Sequence, residues 1–359
     1  MTAEQRIAEL EKKLQYLMDR QEIYDCITST SRGNDRFDKE LIVGGTGPDA
    51  DTDAFPKVMN NLLGTKMRLI TGLCLMDRHA PDYLVNQGQG SVSGTEQSLR
   101  DTEALIQRWH GVDRLGYAIT PRFAPTSTDA QLQGAGDLAA KYPDVWIQSH
   151  VAENKDEIAW VHRLYPQARS YLSVYEQFGL LRPRAIYAHC IHFDDEDRAL
   201  MRESGAAAAV SPTSNLFLGS GFFDYAGADR VGFGYGLASD VGGGTSFSPF
   251  HTMLAAYYVG REGQTKPGLS LRPQHLWWQH TGGAARALGL GGVVGNLLPG
   301  CEADFLVLNP QATPLLALVV GGFLGSLWAA LGAGFTLQAA LHGAMGGALS
   351  IAGSQLART

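Results

Sequence analysis

Four side chains could together carry out hydrolysis at a metal-bound water. His150 and Glu153 stand three apart in Ser149-His150-Val151-Ala152-Glu153-Asn154. His189 follows an apolar run in Ala188-His189-Cys190-Ile191-His192, and Asp240 opens a glycine run in Ala238-Ser239-Asp240-Val241-Gly242-Gly243-Gly244. A neutral imidazole is a common metal ligand. A carboxylate beside it can move protons between a bound water and a leaving group. An Asp at a strand end can bind a metal and accept a proton from its water, and glycines beyond it let a ligand approach the backbone. Singly these signals are weak. A lone His at a strand end is most often a hydrogen-bonded structural residue, and an Asp before glycines is most often a turn residue. Jointly, on successive strand ends, they point to a mononuclear metal hydrolase. One piece such a site normally has is missing, because the 359-residue chain holds no His-x-His pair.

Strands and helices must alternate to bring these residues together. Strands are expected at Arg68–Leu75, Leu115–Thr120, Val145–Ser149, Ala185–Ala188, Ala207–Val210 and Val231–Ala238. Amphipathic helices are expected between them, at Gly94–Trp109, Asp129–Lys141, Asp156–Tyr165 and Asp195–Glu203. Repeated βα units imply a parallel sheet with right-handed crossovers. Polar residues gathered after the strands suit a (β/α) barrel, which keeps its active site on that face. Six strands fall short of the eight in a closed barrel. The expectation is therefore an α/β, TIM-barrel-like metal-dependent hydrolase fold that is incomplete.

Composition narrows the class. The 29 Lys+Arg against 36 Asp+Glu give a net charge of −7, which offers nucleic acid no basic face. Cys26, Cys74, Cys190 and Cys301 form no CxxC, so a reducing, cytoplasmic setting is expected. No apolar h-region opens the chain, so no secretory signal is expected.

Three zones follow from the patterning. Residues 1–41 are charged, with Ile7, Leu10, Leu14 and Leu17 on one face of an amphipathic helix. Residues 42–316 carry the alternating elements. Residues 317–359 form an apolar tail; no Asp, Glu, Lys or Arg occurs between Asp304 and Arg358. Leu315–Phe335 is long enough to span a bilayer, and Gly321/Gly325 and Gly343/Gly347 have small-xxx-small spacing. A membrane hairpin, a packed Gly/Ala-rich helical pair and a non-native tail all remain open for this zone.

Two resemblances are visible. Arg6–Leu10, Asp19–Ile23 and Arg32–Arg36 are similar to the opening helix of SnoaL-like proteins, over about forty residues, and imply no function. Val43 to Leu316 resembles the guanine deaminases of the amidohydrolase superfamily. That resemblance runs through Leu73–Arg78, Thr120–Ser127, Ser149–Asn154, Tyr187–Phe193, Ser211–Asn215, Gly236–Gly244 and Pro299–Phe305. It implies hydrolysis of guanine to xanthine and ammonia at one Zn²⁺. It further implies His150 and Asp240 as zinc ligands, Glu153 as proton carrier and His189 as hydrogen-bond partner of the nucleophile. Arg122 and Phe123 become the purine clamp, a guanidinium for the carbonyl and a ring for stacking. The resemblance also implies a homodimer as the expected assembly.

In that family a His-x-His on the first barrel strand supplies two further ligands, and it has no counterpart here. His189-Cys190-Ile191-His192 has the wrong spacing. Catalytic zinc usually takes three protein ligands and a water, so weakened activity is expected. A catalytically inactive purine-binding protein or scaffold, and a membrane-attached fusion, are the competing readings. Trp277–His280 is expected on a helix in the core, with His251 supporting the loop after Asp240. His79, His110, His162, His275 and His342 are expected on the surface or in packing.

Overall fold

The computed structural model describes residues 68–302 and 304. The expected helix in 1–41 and the apolar tail 317–359 lie outside them. The chain divides into two compact units, Met1–Ala208 and Ala209–Thr359. Among the described residues no helix is long and apolar enough to cross a membrane.

In the first unit, strands β1 (Leu69–Thr71) and β2 (Cys74–Leu75) precede helix α1 (Gly94–Trp109) and strand β3 (Leu115–Pro121). Then come α2 (Asp129–Lys141), β4 (Trp146–Val151), α3 (Lys155–Leu164), α4 (Tyr171–Gln177), β5 (Ala185–His189) and α5 (Asp195–Ser204). The division between the units falls within β6 (Ala207–Val210). Strands β1 and β2 both pair parallel with β3, β3 with β4, and β4 with β5. The βαβ order dictates this, because a crossover helix returns the chain in the same direction.

The sequence reading of one strand over Arg68–Leu75 is corrected to two. At the break, the Leu73 N–H donates to the Tyr117 hydroxyl at 3.0 Å instead of to a ladder carbonyl. Gly72 makes the approach possible, since a Cβ there would sit 1.7 Å from the Ala118 carbonyl oxygen. Burial pushes the Tyr117 phenol up to about 12, so it stays a neutral partner.

Polar caps stop and start the helices. Ser93 accepts from the Glu96 N–H at the start of α1, and Thr128 accepts from the Gln131 N–H at the start of α2. Asn154 opens α3 with a full capping box to Glu157. The core between sheet and helices holds Leu75, Ile119, Leu132, Ile147, Leu172 and Tyr187, all buried. Each such aliphatic side chain contributes about 1.5–3 kcal/mol by leaving water.

The second unit contains α6 (Pro212–Phe217), α7 (Tyr225–Val231), β7 (Gly234–Leu237), α8 (Pro249–Arg261), α9 (Pro273–His280) and α10 (Gly282–Ala287). The expected strand Val231–Ala238 is shortened at both ends, because Val231 ends α7 and Gly232 takes a left-handed C-cap at φ 81°. A ring cluster of Phe223, Tyr225, Phe233 and Tyr235 forms its core, with Phe223 and Tyr225 5.0 Å apart. The helix expected at Trp277–His280 is present as α9. Its inner face is Leu276 and Gln279, whereas Trp278 is 42% exposed and is not a core residue.

Candidate active site

The β4–β5 register aligns His150 with Ala188 and Val151 with His189. Both imidazoles thus reach the carboxyl ends of neighbouring strands, and their rings stack at 5.5 Å with 30° between planes. The sequence placed His189 just after its strand; it is instead the last residue of β5. Its φ of 73° and that of Cys190 at 52° turn the chain sharply there. Left-handed backbone outside glycine is uncommon and concentrates at functional sites.

His150 is fixed by its own backbone neighbours. Its N–H donates to the Arg122 carbonyl at 3.1 Å, and its Nδ1 donates to the same oxygen at 2.7 Å. A carbonyl only accepts, so the neutral ring carries its proton on Nδ1 and its lone pair on Nε2. This is the tautomer that suits a metal ligand.

The Tyr175 hydroxyl ties His150 to the loop that carries Phe123 and Ala124. It donates to the His150 carbonyl at 2.7 Å and accepts from the Ala124 N–H at 3.0 Å and from Ser149 Oγ at 2.9 Å. Burial pushes this phenol far up, so it stays a neutral hub.

Glu153 sits on the turn between β4 and α3, after Ala152 at φ 49°. Its Oε2 lies 3.7 Å from His189 Nε2, with His189 only 2% exposed. The turn is held from below by Glu157, whose Oε2 accepts the Glu153 N–H at 3.2 Å and whose Oε1 accepts the Tyr171 hydroxyl at 2.7 Å. Burial pushes the Glu157 carboxyl above the usual carboxylate range. The Tyr171 and Asn154 hydrogen bonds oppose the rise, and the Glu153 charge adds to it.

A cavity of about 460 Å³ in the first unit is lined by Arg122, Phe123, His150, Glu153, Asn154, Asp156, Glu157, Trp160 and Arg163. That volume is ordinary for a small-molecule site. The cavity unites four of the six residues singled out from sequence. The Arg122 guanidinium lies 5.2 Å from the centroid of the Phe123 ring. His189 stands beside the cavity through its contacts with Glu153 and His150.

Asp240 belongs to the second unit, at φ 49°, three residues beyond the end of β7 and not at the strand end expected for it. Gly243 packs under its carboxylate, where a Cβ would lie 3.1 Å from Asp240 Oδ2. Sequence reasoning missed Glu157 and Trp160 as cavity residues. Their three-residue spacing along α3 was visible, but not which way that face turns.

Zinc can be tested against these donors. His150 suits one ligand position, through the carbonyl that sets its tautomer. Catalytic zinc asks for three protein ligands and a water. Among the described residues no group of three or more His, Cys, Asp or Glu is placed to hold a metal ion. The described donors therefore do not fit a complete catalytic zinc centre.

Residues 35–330 match the Amidohydrolase family. The chain belongs to that family, and its fold is the family's α/β, TIM-barrel-like fold with an incomplete set of strands. It is 42% identical over 277 residues to guanine deaminase of Escherichia coli (strain K12), covering 77% of this chain and 60% of that relative. The solved structure of E. coli guanine deaminase superposes with a TM-score of 0.69 at 37% identity, over 84% of this chain and 65% of that one. Guanine deaminase from C. acetobutylicum, solved with guanine bound in its active site, superposes with a TM-score of 0.62 at 28% identity, over 75% of this chain and 64% of that one. The chain thus spans less than two thirds of the length of these relatives.

Proposed function

We propose that this chain is a guanine deaminase-like hydrolase that takes guanine and water to xanthine and ammonia, with turnover well below that of a full-length relative. The observation that carries the reading is one cavity in which Arg122 and Phe123 stand with Glu153, itself 3.7 Å from His189. Similarity to guanine deaminases supports the choice of substrate.

In this reading the Arg122 guanidinium donates to the purine carbonyl, and the Phe123 ring stacks on the base. Glu153 accepts a proton from the attacking water and delivers it to the ring nitrogen as the C–O bond forms; it then passes the second water proton to the amine, whose C–N bond breaks to release ammonia. His189 hydrogen-bonds the same water from a buried position. His150 and Asp240 are proposed as donors toward a zinc ion.

The missing donors favour a second reading, a purine-binding protein without turnover. One experiment separates the two: xanthine release from guanine by the purified, zinc-supplemented chain. Slow release abolished by Glu153→Gln supports the hydrolase. Guanine binding without release supports the second reading, and turnover equal to a full-length relative refutes the proposed impairment.

A further inference from the structure

Trp160 was not expected at the site and has no role in the reading above. It lies on α3 with Glu157 and Arg163 at three-residue spacing, and all three line the cavity. One helix face is therefore turned toward the cavity.

The indole packs against two rings. Phe123 lies 6.0 Å away with the planes at 82°, an edge-on arrangement, and His79 lies 5.6 Å away at 44°. Each ring has its own anchor. His79 Nδ1 donates to the Pro125 carbonyl at 2.9 Å. The residue after Phe123 is tied to Tyr175 through the Ala124 N–H. Trp160 is thus held against two anchored rings.

The 82° angle decides what the indole can do. A base stacked parallel on Phe123 lies nearly perpendicular to the Trp160 plane, so it meets the indole with its edge and not with its face. We propose that Trp160 is the end wall of the purine pocket, a specificity-determining residue that limits the length of the base and excludes purines carrying a bulky ring substituent such as a ribose. The inference rests on the purine-site reading and adds the determinant of substrate size.

Equilibrium dialysis of the full chain against guanine and guanosine tests it without requiring turnover. The readout is the ratio of the two affinities. The wild-type chain should prefer guanine. Trp160→Ala should lower the guanine-to-guanosine preference about tenfold, the size of about 1.4 kcal/mol of differential binding. Trp160→Phe, which keeps a ring there, should retain most of it. An unchanged ratio in Trp160→Ala overturns the end wall, and so does an equal loss for both ligands, which marks a purely structural role. If the wild-type chain binds neither purine, the purine-site reading itself falls, an outcome distinct from a wild-type chain that binds both equally. Trp160→Leu carries the same test if the alanine variant does not fold.

Discussion

The His189 imidazole, 2% exposed, holds its Nε2 3.7 Å from Glu153 Oε2. The two groups come from different elements, one ending β5 and one on the turn after β4. Their approach depends on the β4–β5 register and on two left-handed turns, at Ala152 and at His189–Cys190. A ladder shifted by one residue would point one of the pair away, because side chains alternate across a strand. The sheet thus sets the distance between His189 and Glu153, the residue proposed as proton carrier.

Glu153→Gln keeps the shape of this pair and removes its basicity. Any xanthine formation by the chain should fall by about 10²–10⁴, the usual worth of a positioned general base. Guanine affinity should change by no more than a few-fold. Parallel steady-state and dialysis measurements check this, and equal turnover in variant and parent would remove Glu153 from the mechanism.

Tyr175→Phe deletes one hydroxyl with three hydrogen-bond partners: the His150 carbonyl, the Ala124 N–H and Ser149 Oγ. The buried Ala124 N–H loses its acceptor, while Ser149 Oγ keeps the Arg122 carbonyl at 3.3 Å. The expected cost is about 1–3 kcal/mol, read as a lower urea midpoint at unchanged m-value. Guanine affinity should fall as well, because the same hydroxyl joins the Phe123–Ala124 loop to the His150 strand. A midpoint within error of the parent would show that the hub contributes nothing.

Much of this arrangement was legible in the chain. Gly94–Trp109 and Asp129–Lys141 carry both a helical period and a polar cap, so their bounds as read agree with those observed. The short helix α4 carries five consecutive buried residues, Tyr171 to Tyr175, and so shows no polar face to read. The split of β1 from β2 depends on a side-chain hydroxyl 44 residues away in sequence, Tyr117, which local patterning does not reveal. The residue types of the site were readable from their spacing and from the family resemblance. The cavity's inner helix face was not, since Glu157 and Trp160 face inward only because α3 packs that way. His110, expected on the surface or in packing, also accepts the Tyr117 N–H and sits 3.0 Å from Asp144 Oδ2, contacts that local patterning does not reveal.

His280 should make the second unit acid-sensitive. Burial holds its imidazole below the usual value of 6.5, and its buried Nε2 has no hydrogen-bond partner among the described residues. Well above pH 6.5 the ring is neutral in both folded and unfolded chains, so it adds no pH dependence there. As pH falls through that value the unfolded chain takes up the proton first, and stability drops until the folded pKa is passed. Thermal unfolding at neutral and mildly acidic pH should show a larger loss for the parent than for His280→Phe. Parallel loss in both would assign the acid sensitivity to other groups.

Zinc should bind substoichiometrically. His150 offers one well-prepared nitrogen, its Nδ1 held 2.7 Å from the Arg122 carbonyl. No described group of three donors accompanies it, and the chain holds no His-x-His pair. Fewer ligands lower affinity steeply, since each removes a metal–ligand bond without reducing the ordering cost of the rest. After zinc loading and exhaustive dialysis the metal content should therefore fall well below one ion per chain. His150→Ala should lower it further. Near-equimolar zinc that survives dialysis, lost only in His150→Ala or Asp240→Ala, would mean that a full ligand set forms, and the expectation of impaired turnover would then have to be given up.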